Sequence, residues 1–496
     1  MTPKSLLSLA APLSLSALFT IACGPAGDAE SPNRAPLADK WLTRAQASYK
    51  SGDFEDASQA AESALGAAPS DPDIRLLAAR LALAKMEWGK AAKLTEGMTT
   101  ADALSVRGRA HWYAGDVEAA ADALEALLRD PAVKDPWARQ IATLARTGGT
   151  SRKPFAVEGG LVAAVEMPPA GPAMVVPCEL NGEHILALVA TASSEVVIDS
   201  NSRKDPAWVT LRFGDRIEVS DVPAITQDLA PISRQLGGSI KALLGVNLLR
   251  HLHATVDRRG DQFVVRRSAA TPPPDASRIP LWYVRGGGML MRAGVTAKDE
   301  GNGAYLVDSS LPFPLALTDA TWKKAGVDIS KLQSDPSVPD LRAGPVPLIR
   351  FGSFDLPSVP AVQGAPTSPA QQSMDVDVDG VIGSGLIAEF RMTFGDEGRF
   401  VWIEPDPTAF GPRRGAAPPP PPAASAPDAA PLQLTPPPGA KPGPTTKPDP
   451  KAPAPKPGAK PAAGAKPEAA PKAAAPAATP AAKKAEPGAE KKEKTP

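Results

Sequence analysis

Hydrophobic residues along the chain fall into two textures. From Leu37 to about Thr147, Ala and Leu recur at the spacing of helix faces. From about Phe155 to Pro405, short runs of Val, Ile, Leu and Phe are broken by Gly, Pro, Asn and Asp. The first pattern predicts amphipathic helices, and the second predicts strands joined by turns. A third texture begins at Gly411, where Pro, Ala, Lys and Gly dominate and no aromatic residue occurs. Such a segment has too little apolar bulk to offset the entropy of ordering, so 411–496 is expected to be a disordered, extended tail.

The helical texture repeats itself. "YKSGDFEDASQAAESALGAAP" corresponds to "HWYAGDVEAAADALEALLRDP", with Gly52 matching Gly115, Asp53 matching Asp116 and Ala57 matching Ala120. Between them, "LAARLALAKMEWGKAAKL" supplies a third copy in which Met86 replaces the glycine and Trp88 takes the place of Phe54. Small residues at fixed places let paired helices approach closely, and Gly-Asp makes the turn between them. The pattern resembles the tetratricopeptide repeat, for which three copies are about the minimum stable stack. The resemblance implies a concave face for a peptide or protein ligand, or else a structural spacer.

The strand texture is also duplicated. "RFGDRIEVSDVPAI" from Arg212 matches "RFGSFDLPSVPAV" from Arg350, and "ALLGVNLLRHLHATV" from Ala242 matches "GVIGSGLIAEFRMTF" from Gly380. Both offsets are 138 residues, which pairs Gly245 with Gly383 and Thr255 with Thr393. "ALVATASSEVVI" aligns with "YLVDSSLPFPLA" at an offset of 118, which places Ala190 against Asp308. The intervening "TWKKAGVDISKLQSDPSVPD" reads as an insertion forming a helix and a loop.

Each copy resembles a retropepsin-like aspartic protease lobe. The features are a strand running into an Asp-Thr/Ser-Gly turn, a Gly-containing hairpin corresponding to the flap region, and a late hydrophobic-hydrophobic-Gly turn before a short helix. The resemblance implies that the turns at Gly245 and Gly383 brace the catalytic turn. It also implies that two such lobes face each other, setting Ala190 opposite Asp308. Aspartic proteolysis needs two carboxylates that share one proton, and a methyl group can hold neither water nor proton. Both motifs depart further: Ala192 and Ser310 stand where the family has glycine. The leading expectation is therefore a non-catalytic binder that takes a peptide or protein in the repeat groove or the inter-lobe cleft. The alternatives are an aspartic endopeptidase using Asp308, possible across a dimer, and a structural envelope scaffold acting through its repeats.

Other chemistry is thin. His251 and His253 would share a face if "LHATV" began a strand, but they read as structural imidazoles rather than zinc ligands. "DVDVDG" from Asp375 lacks the EF-hand spacing and reads as a charged edge entering a turn. "RGGGM" at Gly286 to Gly288 lacks the Lys-Ser/Thr of a phosphate loop and reads as a linker or bend. No metal site and no cofactor is expected.

The ends set the compartment. Met1-Thr-Pro-Lys4 precedes "SLLSLAAPLSLSALFTIAC", one positive charge followed by an apolar stretch short for a membrane span, as in an export signal. "TIAC" before Gly24 resembles a bacterial lipobox, which implies lipidation at Cys23; the alternative is an ordinary cleaved signal peptide. The other cysteine, Cys178, lies in a strand-like run and is expected to be buried and inert. The formal net charge is +0, so the overall balance argues neither for nucleic acid nor for a membrane surface, and no nucleic-acid partner is expected. The tail nevertheless holds fourteen basic residues against six acidic ones. Its lysines are expected at most to touch anionic envelope polymers weakly. The expected chain is thus multidomain α + β, lipid-anchored at a bacterial envelope on the outer membrane or periplasmic face. Its parts are a signal (1–23), a linker (24–36), helical repeats (37–148), lobe 1 (155–268, Asp lost), lobe 2 (279–405, Asp kept) and the tail (411–496).

Overall fold

Seven helices come first in the computed structural model, which describes residues 34–148, 152–284, 288–296, 303–335, 338–363 and 374–405. Cys23, the signal region and the 411–496 tail lie outside the described residues. The helices are α1 (Pro36–Lys50), α2 (Phe54–Ala67), α3 (Pro72–Ala84), α4 (Trp88–Leu94), α5 (Ala101–Ala114), α6 (Val117–Leu128) and α7 (Pro136–Gly148). The Gly-Asp pairs work as the pattern predicts. Gly52 and Gly115 take left-handed backbone (φ 74° and 81°). The next residue, Asp53 or Asp116, caps the following helix by accepting from the backbone N–H of Asp56 or Ala119. Close approach is visible at Gly108 of α5, where a Cβ would lie 2.5 Å from Leu124 of α6.

The irregular middle copy keeps the backbone without the glycine. Met86 adopts φ 63°, which costs roughly 1–2 kcal/mol for an L-residue. Its side chain is buried in the same cluster as the β-region core, and burying a methionine contributes about 1.5–3 kcal/mol. Glu87 makes no side-chain cap, and α4 runs for only seven residues. The departure from the repeat thus trades turn chemistry for docking.

The β region has two lobes with one strand plan. Lobe 1 contains β1 (Ala156–Gly159), β2 (Val162–Glu166), β3 (Val175–Leu180), β4 (Glu183–Val189) and β5 (Val196–Asp199). It continues with β6 (Ala207–Phe213), β7 (Ile217–Gln227), α8 (Ala230–Leu236), β8 (Ile240–Leu244), α9 (Val246–His251), β9 (Thr255–Asp257) and β10 (Gln262–Arg266). Lobe 2 contains β11 (Ser277–Pro280), β12 (Trp282–Val284), β13 (Gly288–Ala293), β14 (Gly303–Asp308), β15 (Leu315–Leu317) and α10 (Asp319–Lys324). It ends with β16 (Gln333–Asp335), β17 (Val338–Phe351), β18 (Phe354–Gln363), β19 (Gly380–Gly383), α11 (Ser384–Ile387), β20 (Phe390–Gly395) and β21 (Phe400–Pro405).

In lobe 1 the order β3-β4-β8-β5-β7 closes through β6, which pairs with both β7 and β3. Lobe 2 repeats it as β13-β14-β19-β15-β18-β17, and reciprocal backbone hydrogen bonds between Gly294 and Arg350 make the corresponding closure. The two sequence offsets meet in one ladder. Leu188 pairs with Leu243 in parallel strands of lobe 1, and Leu306 pairs with Val381 in lobe 2, so 118 and 138 describe one duplication. A third sheet, β11-β21-β20-β9-β10-β2, takes strands from both lobes. At its centre Thr255 lies opposite Thr393, and their hydroxyls hydrogen-bond at 2.8 Å. Residues equivalent by duplication therefore touch at the pseudo-twofold axis.

The insertion forms α10, a 3-10 turn (Ile329–Lys331) and β16 rather than a helix and loop alone. Arg285–Gly287, within the glycine run, lies outside the described residues, between the paired strands β12 and β13. His251 ends α9, whereas His253 sits in a left-handed turn (φ 42°) before β9, so the two do not share a strand face.

Candidate functional site

The two equivalent turns follow β4 and β14 and hold each other by four hydrogen bonds. The Thr191 N–H donates to Ser309 Oγ (3.0 Å), and the Ser309 N–H donates to Thr191 Oγ1 (3.0 Å). Each hydroxyl then donates onward across the axis, Thr191 to the Val307 carbonyl (2.8 Å) and Ser309 to the Val189 carbonyl (2.7 Å). Thr191 and Ser309 are 0% and 1% exposed, so water cannot replace these bonds. The residues immediately before them, Ala190 and Asp308, are thereby set on opposite sides of the same axis.

Ala190 is buried with Leu188, Val197 and Leu243. Asp308 is half-buried, and its Oδ1 accepts from the Ser310 N–H (3.0 Å) and hydroxyl (2.6 Å). Burial pushes this carboxyl above its ordinary range, while the two Ser310 bonds oppose that rise. No charged group among the described residues contributes to the shift. Ser310, at the family's glycine place, thus occupies the acid internally. A lone carboxyl of this kind lacks the like-charge coupling that separates the two proton affinities of a dyad.

The glycine turns brace these loops. A Cβ on Gly245 would lie 2.1 Å from the Glu195 carbonyl oxygen, and one on Gly383 would lie 2.0 Å from that of Phe313. Either substitution would require backbone to move. The flap-like expectation for the other two hairpins is corrected. Gly214 (φ 54°) packs its tip against Ala164 of β2, and Gly352 (φ 58°) packs against Ser277 and Ile279 of β11. Both tips lie on the outer strands of the inter-lobe sheet instead of over Asp308, because glycine there allows backbone to approach the sheet.

The repeat array covers what the cleft would leave open. Leu306 lies two residues before Asp308 on the same face of β14, and it packs with Phe54, Leu77 and Trp282. Phe54 and Trp282 place their ring centroids 5.6 Å apart, and Asp53 pairs with Arg292 of β13 at 2.9 Å. The acidic "DVDVDG" stretch is also an interface. Met374, Val376 and Val378 are buried with the first repeat, Asp375 pairs with Arg80 (3.1 Å), and the Asp377 N–H donates to the Lys50 carbonyl (2.6 Å). Alternation puts its carboxylates outward and its apolar residues onto helices. Among the described residues, no group of three or more His, Cys, Asp or Glu is placed to hold a metal. Along α1, α3 and α5 the array keeps a groove of about 360 Å³, lined by Gln46, Tyr49, Lys50, Leu76 and Arg80, with Asp375 at its edge. Cys178 is buried in β3, and burial pushes its thiol up to about 12.

One residue of this region is invisible to motif reasoning. Glu195, at the end of the lobe 1 turn, is 0% exposed. Its Oε1 accepts from the Trp112 indole of α5 (3.2 Å) and from the Asn247 amide (3.4 Å). Burial pushes its carboxyl up to about 7, against the lowering influence of Trp112, Asn247, Trp137 and the Arg250 charge. The turn that grips lobe 2 through Thr191 therefore also grips the helical array through Glu195. A lone Glu before a Val-Val-Ile run is the only hint in the sequence.

The first repeats match a known family. A tetratricopeptide-repeat family model covers residues 38–81. Among solved structures, the first TPR of Spaghetti (RPAP3) bound to the HSP90 peptide SRMEEVD is 17% identical, with 23% of this chain and 92% of that one covered and a TM-score of 0.21. The Sgt2 TPR domain from Aspergillus fumigatus is 19% identical, covering 25% and 91%, with a TM-score of 0.22. A retropepsin-like aspartic protease from Rickettsia conorii is 16% identical, covering 27% and 94%, with a TM-score of 0.20. No curated protein sequence matches this chain.

The Glu195 clamp carries a pH signature. Its folded proton affinity exceeds the unfolded value of 4.5, so its stabilising share is full below about 4.5 and is lost as pH rises through about 7. A shift of this size corresponds to roughly 3 kcal/mol at ~1.36 kcal/mol per unit. Denaturant unfolding at pH 4.5 and pH 8 should show Glu195→Gln gaining stability relative to wild type by that order at the higher pH. Parallel pH profiles for the two proteins would remove Glu195 from the account.

Proposed function

We propose that this chain is an envelope-anchored peptide- or protein-binding protein whose protease-like lobes are non-catalytic. The observation that carries this reading is the lone acid. The position equivalent to Asp308 by duplication is Ala190, the Asp308 Oδ1 is engaged by Ser310, and no described charged group contributes to its shift. The groove along α1, α3 and α5 is the better of the two candidate ligand sites, because the lobe 2 face beside Asp308 is covered by the first repeat. The repeat family match over 38–81 supports a protein-binding role for the array.

The second reading, an aspartic endopeptidase that joins two Asp308 carboxyls across a dimer, draws support from the raised proton affinity of that acid. It meets a specific obstacle: lobe 2 would have to leave lobe 1 and break the four hydrogen bonds at Thr191 and Ser309. Anchoring rests on the "TIAC" segment and Cys23. Mass spectrometry of the mature protein from its native membrane should find an acylated Cys23 at the N-terminus, and an unmodified terminus elsewhere would reject the anchor.

Catalysis is tested with an unstructured protein substrate between about pH 3 and pH 6. Wild type and Asp308→Ala should both leave it intact over hours at equal loading. Cleavage by wild type that disappears in Asp308→Ala would establish the peptidase reading instead.

A further inference from the structure

Where the array meets lobe 1, a cavity of about 300 Å³ opens beside α9. Its walls come from the α5–α6 turn, the segment leading into β1, and α9 itself. This volume is at the small end of ligand sites, about 300–1,000 Å³. Arg250 of α9 lines the cavity while only 6% exposed. Its Nε donates to Asn247 Oδ1 (3.0 Å), and its guanidinium carbon lies 5.9 Å from the Trp88 ring. Its two terminal nitrogens have no hydrogen bond or ion pair among the described residues. Glu195, which also lines the cavity, is turned to Trp112 and Asn247 rather than to this arginine.

A guanidinium in this state is incomplete. Taking a cation out of water without a hydrogen-bonded anion is costly, and burial lowers its proton affinity against the raising influence of Tyr283, Glu195, Tyr113 and Glu397. The other walls are aromatic: Trp112, Tyr113 and Phe155, the last stacked on His251 with ring centroids 4.4 Å apart. Phe155 holds left-handed backbone (φ 60°) in that position. Lys153 is exposed on the same cavity, whereas Arg152 is already paired with Asp221. The free charge is thus positive, fork-shaped and set beside flat apolar surface.

We propose that this cavity binds a small ligand bearing one carboxylate next to an aromatic or aliphatic group. The carboxylate takes the terminal nitrogens of Arg250, a bidentate match of planar groups. The apolar part lies against Phe155, Trp112 and Tyr113, and Lys153 adds attraction at the rim. A dianion suits the site less, since it would bring a second negative charge beside Glu195. This site is separate from the peptide groove along α1, α3 and α5, and its success or failure does not depend on that reading.

The test uses the full chain, with N-acetyl-L-phenylalanine as probe and N-acetyl-L-phenylalaninamide as its uncharged match. Titration calorimetry, with tryptophan fluorescence in parallel, should give saturable one-to-one binding of the acid and at least tenfold weaker binding of the amide. Lys153→Gln should weaken the acid two- to threefold, and Arg250→Gln should abolish its binding with circular dichroism unchanged. Should Arg250→Gln fail to fold, the contrast between acid and amide on wild type decides alone. No saturation by millimolar acid, equal binding of the amide, or undiminished binding to a folded Arg250→Gln would each overturn the assignment.

Discussion

Four buried hydrogen bonds made by Thr191 and Ser309, two with each other and two to the Val307 and Val189 carbonyls, fix the relation of the two lobes, and most of the rest follows from them. They are reciprocal, so each lobe supplies the same donors and acceptors and neither turn can shift without stranding a buried polar group. The brace depends on Thr191 and Ser309 and not on the residues before them, Ala190 and Asp308. A methyl at Ala190 packs into lobe 1 without disturbing it. The same logic explains Ser310. Once no partner carboxylate exists, a hydroxyl that engages Asp308 satisfies a half-buried acid locally.

The lobe 1 turn ties three parts of the molecule. Thr191 reaches lobe 2, the Ser193 and Ser194 carbonyls accept from the N–H groups at the start of α9, and Glu195 reaches Trp112 of the array. Lobe 2 is joined to the array elsewhere, through Phe54, Trp282 and Val376. The repeats are therefore not a freely tethered module. Their turns lie along the β region, with Gly52 against Ala304, Met86 in the core and Gly115 beside the Arg250 cavity.

Legibility in the sequence follows the range of the forces involved. Local signals were readable: Gly-Asp marks a left-handed residue and a cap, and the 138-residue register marks a duplication that the ladders reproduce. The equivalence of positions 190 and 308 was readable because the lobes share one strand plan. Docking was not. Periodicity says that Val376 and Val378 have a buried face, but nothing in the pattern says that helices from the first repeat cover it. The glycine hairpins show the same limit, since Gly214 and Gly352 announce turns without naming the sheet they rest on. Glu195 finds its partner Trp112 from 83 residues away, and no short-range pattern carries that distance. Met86 looked like decay of a repeat and is instead a packing residue.

The central claim is that Ala190 and Asp308 face each other across one axis. Its most direct test is a carbon-13 NMR titration of the Asp308 carboxyl in wild type and in Ala190→Asp. In wild type a single carboxyl should titrate above the ordinary aspartate value of 3.8. In the variant two carboxyls should titrate as a coupled pair, one moved down and the other well up, as like charges in contact require. An Asp308 titration that is the same in both proteins would mean that the two positions do not meet.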